Sequence, residues 1–150
     1  MSRHSIWFDK KDDKLNKVRG IIISHQLNVE LFLTFTILKY FHKRGTKKWK
    51  FFYDNVLNTT LFTFEEKINL FKKIPTYNKL KKFKKIIQNL RGIQNSRNKL
   101  AHWTINKQKS KMNKLVVENP LNKNQALVID DKFIEEFEKN ATDTILSLKI

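Results

Sequence analysis

Arg97, Asn98 and His102 lie in the run N-S-R-N-K-L-A-H-W, Asn95 to Trp103, and their types and spacing suit chemistry. An arginine carries a permanent positive charge and a forked array of N–H donors, a good match for a phosphate. Histidine has the free pKa nearest neutrality, which suits it to moving a proton. Asn98 and His102 are four residues apart, so on a helix they share a face and the amide can orient the imidazole. A phosphate clamp, a proton carrier and an orienting amide together describe a site for phosphodiester cleavage. RNA supplies its own nucleophile in the 2′-OH, so this chemistry calls for no metal and implies no cofactor. The sequence offers no recognisable metal-ligand cluster.

The spacing also sets a geometric condition. On an unbroken helix, residues five apart point about 140° away from each other. Arg97 and His102 converge only if the helix is distorted or ends between them, or if two copies of the run meet across a dimer axis.

Charge narrows the partner. The chain carries 31 basic and 14 acidic residues, a net charge of +17. A composition rich in Lys, Asn and Ile accounts for part of the excess but not for its distribution. Lys67 to Val117 contains fifteen basic residues and no acidic one. A one-signed field of this kind attracts polyanions, and nucleic acid fits through phosphate neutralisation and counterion release. An acidic protein or an anionic membrane surface would match the charge equally well. Within the basic segment, Lys81, Lys84, Lys85 and Lys99 are candidate RNA contacts, although lysines on a helix most often form a solvated face. Trp103 is a candidate for stacking on a base, with core or interface packing as the simpler role.

At 150 residues with 40% apolar composition, the chain is expected to form one domain over residues 1–150 with a real core. Three glycines and two prolines argue against a turn-rich β sandwich. The lack of cysteine excludes disulfides and thiolate metal sites. The N-terminal run M-S-R-H-S-I-W-F-D-K has no apolar core of signal-peptide length, and Ile21 to Leu38 is interrupted by Ser24, His25, Gln26, Asn28 and Glu30. The expectation is a cytoplasmic protein without a membrane partner.

The elements that must position the site follow from periodicity. A first helix is expected from about Asp13 to Arg44, apolar over much of its circumference, with Gly45 at its C-terminal stop. Thr46 to Leu61 reads as a loop with a short helix. Thr63-Phe64-Glu65-Glu66 has capping-box spacing and opens a second helix that Pro75 closes. A third helix begins near Tyr77, with Leu80, Phe83, Ile87 and Leu90 on its apolar stripe. Continued, that stripe reaches Gln94, Arg97 and Ala101, placing Arg97 where a core residue belongs. That is expensive unless the guanidinium has partners, and Glu30 on the first helix is one candidate. Lys114 to Glu118 and Ala126 to Ile129 read as two strands of a hairpin. Asp130 or Asp131 then caps a last helix with Phe133, Phe137, Ala141, Ile145 and Leu148 on one face. The fold class is all-α: a bundle of about four main helices with a short β-hairpin before the last.

Arg97-Asn98-Lys99-Leu100-Ala101-His102 resembles the R-x4–6-H signature of the HEPN superfamily, often seen as R-N-x-x-A-H. The order of elements is similar too: a long first helix, a second beginning T-F-E-E-K-I, a third ending in the signature, and a closing helix. The resemblance implies an all-α HEPN-like bundle that forms a homodimer with the two signatures facing each other. It also implies metal-independent endoribonuclease activity on RNA, as in members that act as toxins or in antiviral defence, under an antitoxin or regulatory protein. By position, Arg97, Asn98 and His102 correspond to the catalytic residues. The alternative within the family is an inactive RNA-binding or partner-regulating subunit, in which Arg97 and His102 serve structure. A second loose match, Arg19 to His25, lacks the asparagine and falls within the first helix's apolar pattern, so it is read as structural. His4 and His42 carry no functional expectation.

Overall fold

A computed structural model describes residues 11–149. The N-terminal run, with His4, lies outside them. The described residues are mostly helical, with six α-helices and a small antiparallel sheet. α1 spans Lys11–Phe41, α2 Lys47–Phe52, α3 Phe64–Lys73, α4 Pro75–Asn78, α5 Phe83–His102 and α6 Asp131–Leu148. The strands are β1 Thr104–Ile105, β2 Leu115–Asn119 and β3 Asn122–Ile129.

α1 is the centre of the bundle and packs mainly on α6, α5 and α3. Val18, Ile22, Val29, Leu33 and Ile37 along it are fully buried. Its richest stretch reaches a mean hydropathy of 1.5, so on length and composition alone it passes as a membrane-spanning helix. The sequence reading of that stretch as too polar is corrected on this point, although in the fold one side of it, with Ile22, Val29, Leu33 and Ile37, forms the core while Ile23, Leu27, Leu31 and Phe35 stay exposed. α1 stops at Phe41, three residues before the expected end. The Thr46 hydroxyl accepts from Trp49 N at 3.2 Å and starts α2, so the intervening residues must turn. Gly45, at φ +81°, supplies the left-handed conformation that the turn uses.

The expected capping box opens α3: Thr63 and Glu66 exchange side-chain and backbone hydrogen bonds. The third predicted helix is divided. Pro75 occupies the first turn of α4, which ends at Asn78, and α5 begins again at Phe83. The break shifts the buried stripe of α5 to Ile86, Leu90, Ile93 and Leu100. Gln94 is half-buried and Ala101 exposed, contrary to expectation. The alternating spacing of four and three residues along this stripe still demands a core residue at 97, between Ile93 and Leu100.

The hairpin forms with a tight turn at Pro120 and Leu121, pairing Leu115 with Ile129 and Val117 with Leu127. A third strand absent from the sequence reading, β1, pairs Thr104 with Glu118 and Ile105 with Val117, making β2 central. Asp130 caps α6 by accepting from Phe133 N at 2.8 Å. Phe137, Ala141 and Leu148 face the core as expected, with Ile134 and Thr144 beside them.

Candidate functional site

The site region is the last two turns of α5 and the groove that α5 forms with α1 and α3. Arg97 occupies the core slot of α5 but is only half-buried. Its Nε is buried without a hydrogen-bond partner, while Nη1 donates to Asn98 Oδ1 at 3.2 Å. The side chain thus enters the groove partly desolvated and incompletely paired, at a position where leucine or isoleucine would continue the stripe. Most buried polar groups find partners, so the exception marks this arginine.

The groove has a volume of about 530 Å³. Ile23, Leu27 and Glu30 of α1, Glu65 of α3, and Gln94, Arg97 and Asn98 of α5 are among its lining residues. Glu30, one candidate partner of Arg97 from the sequence, instead accepts from Lys67 Nζ at 2.6 Å. That ammonium is almost wholly buried, and a buried charge claims the nearest carboxylate because an unpaired one is costly. On the α3 side, Arg91 Nη1 donates to both Glu65 and Gln94, and Arg91 Nη2 to Asn69 Oδ1 at 3.0 Å. The hydrogen bond from Arg91 holds the Glu65 carboxyl below its ordinary pKa, with Gln94 and Asn69 assisting against partial burial. These anions are committed to other cations, and no hydrogen bond joins them to Arg97.

His102 is the final residue of α5 and is exposed, as is Asn98 one turn before it. α5 runs unbroken from Phe83 through His102. Neither a distortion nor an early stop brings His102 round to Arg97, and His102 does not line the groove. Within one chain the two residues leave α5 on different sides.

What holds His102 in place was not anticipated. Arg19, in α1, donates from Nε to Leu100 O at 2.7 Å and from Nη2 to Trp103 O at 3.3 Å. These carbonyls flank His102 at the negative end of α5, where a cation is favoured. Two residues after His102 β1 begins, so the backbone around His102 is fixed between a guanidinium clamp and a paired strand. The structural reading of Arg19 is supported, with a specific job attached. His25, its partner in the loose match, lies 3.5 Å from Glu138 on α6 and packs edge-on to Phe137.

The remaining candidates separate by exposure. Lys81, Lys84, Lys85 and Lys99 are exposed, as a solvated or phosphate-contacting face requires. Trp103 is half-buried against the core, and the Lys99 ammonium lies over its ring, 5.2 Å from the centroid. Packing therefore accounts for Trp103 better than base stacking does. Comparison with protein-family models, with curated proteins and with solved structures finds no match.

Proposed function

We propose that this protein is a metal-independent endoribonuclease of HEPN type that acts as a homodimer. The observation that carries the reading is Arg97: a guanidinium in a core slot, with a buried, unpartnered Nε, facing an open groove in a strongly basic segment. A phosphate would take up the free donors of that fork. In the proposed reaction the RNA 2′-OH attacks the adjacent phosphorus, His102 moves a proton, and Arg97 stabilises the charge gathering on the phosphoryl oxygens. Asn98, already bonded to Arg97, orients the guanidinium.

The unbroken α5 favours a site completed by two chains. On α1, Ile23, Leu27 and Leu31 form an exposed apolar stripe, from 39% to 57% accessible. Two of these residues line the Arg97 groove. A two-fold contact along this stripe would bury it and bring His102 of a second copy towards the groove. The basic middle segment then holds the RNA backbone without reading sequence. A toxin or defence role, under the control of a regulatory protein, is the biological setting the HEPN resemblance suggests.

The test is cleavage of single-stranded RNA in EDTA by the purified protein, lost in His102→Ala with the circular dichroism spectrum unchanged. Cleavage that needs added metal, or that survives the substitution, overturns the mechanism. Salt-sensitive binding of RNA that stays intact supports the inactive, RNA-binding alternative instead.

A further inference from the structure

The end of α1 and the start of α2 carry a second feature, separate from the Arg97 groove. Three aromatic rings there lie nearly parallel. Trp49 stacks on Tyr53 at 5.6 Å and 12°, and Phe35 lies 6.1 Å from Trp49 at 23° and 6.0 Å from Tyr53 at 29°. The α2 helix creates the arrangement: Trp49 and Tyr53 are one turn apart, and Thr46 fixes the start of that turn. The stack is not sealed, because Phe35 remains 37% exposed. Beside it is a recess of about 320 Å³ lined by Phe35, Trp49, Lys39 and Arg44. The segment from Lys39 to Lys50 holds six basic residues and no acidic one. The nearest carboxylate that follows, Asp54, is engaged by Lys50 at 2.9 Å.

We infer that this recess binds one nucleotide of a single-stranded RNA, its base stacked on Phe35 and Trp49 and its phosphate held by Arg44 and Lys39. An open aromatic platform flanked by cations is the arrangement that single-strand binding uses, since every base offers a π-face and every linkage a charge. A volume of this size is at the lower end for ligand pockets and accommodates one ring system with its phosphate. An anionic membrane is the competing polyanion, and the shape argues against it. Membrane-surface helices bury a broad apolar face, whereas α2 is six residues long with Lys47, Lys48 and Lys50 among its aromatics.

The recess is roughly ten residues along α1 from the Arg97 groove, or ~15 Å at the helical rise. A stacked strand covers that distance in ~4–5 nucleotides. The recess would therefore hold the substrate a short run from the scissile linkage. The inference rests on the ribonuclease reading for that purpose, but the binding it claims does not need cleavage.

The experiment is fluorescence anisotropy of a labelled oligouridylate with the His102→Ala protein, which keeps the RNA intact, alone and with a second substitution. Trp49→Ala should weaken binding about 5- to 150-fold, the range for losing one base stack, and Trp49→Phe should restore most of it. Arg44→Gln, on the exposed turn and so harmless to folding, should lower the salt-dependence slope by about 0.7, the value for one single-strand phosphate contact. Double-stranded RNA should compete poorly, because its bases are already stacked. Unchanged affinity in both Trp49→Ala and Arg44→Gln overturns the inference, as does equal competition by duplex. Trp49-dependent binding to phosphatidylserine vesicles without Trp49-dependent binding to RNA also overturns it, in favour of a membrane site. Trp49-dependent RNA binding by a wild-type protein that never cleaves upholds the recess while refuting the ribonuclease; cleavage with unchanged binding in both variants does the reverse.

Discussion

Replacing Arg97 by leucine should make the protein more stable and inactive. The slot continues the stripe of Ile86, Leu90, Ile93 and Leu100, so leucine adds apolar contact where the pattern asks for it. It also removes a buried Nε–H that has no partner; an unsatisfied buried donor costs about 1–3 kcal/mol. Against this stands one hydrogen bond from Nη1 to Asn98 at 3.2 Å, made at an exposed position where water replaces it readily. The balance is a gain of about 1–2 kcal/mol, which for a chain of this length raises Tm by about 2–8 °C. Thermal unfolding followed by circular dichroism measures the first half, and RNA cleavage in EDTA the second. A residue kept against stability is the signature of a functional site. If Arg97→Leu instead unfolds more than about 1 kcal/mol more easily, Arg97 holds the fold together and the reasoning fails.

Arg19→Ala removes two hydrogen bonds from a charged donor at the end of α5. It should cost about 2 kcal/mol, and amide exchange should increase in the last turn, around His102. No change in exchange there would contradict the clamp. Lys67→Ala leaves Glu30 without its buried partner and should lower stability by about 3 kcal/mol in urea unfolding, more than any single lysine change on the exposed face of α5. Glu65 is held below its ordinary pKa by the hydrogen bond from Arg91. Its contribution is therefore present above the unfolded-state value, near 4.5, and is lost as pH falls through the lower folded value. Because the pair is partly exposed, that contribution stays under about 1 kcal/mol. Glu65→Gln should reduce the fall in Tm below about pH 4.5 and leave its slope near neutrality unchanged.

The sequence carried the parts of this fold that have a period or a cap. The apolar run of α1, the Thr63–Glu66 box and the Asp130 cap are each written in a few neighbouring residues. The break between α4 and α5 was hidden because Leu80 and Phe83 keep helical spacing across it. β1 was hidden because two residues are too short to show alternation. At the site, the misplaced arginine was legible: a charge in an apolar stripe remains an anomaly whichever neighbouring stripe is taken. Its surroundings were not. The Arg19 clamp joins residues 81 positions apart, and the Lys67–Glu30 pair residues 37 apart, so no local pattern records them. Arg19 did attract notice, but through a motif match that pointed to the wrong partner. The signal that could have found its role is a lone arginine on an apolar helix in a chain where another helix must end.

If Arg97 of one copy works with His102 of another, two inactive proteins should make an active one. Arg97→Ala and His102→Ala are each expected to be silent on single-stranded RNA in EDTA. Mixed and allowed to exchange subunits, half the dimers become hybrids, and each hybrid holds one site with both residues intact. The mixture should recover about a quarter of wild-type cleavage. A mixture that stays silent, while an active wild-type protein demonstrably exchanges subunits, contradicts the shared site.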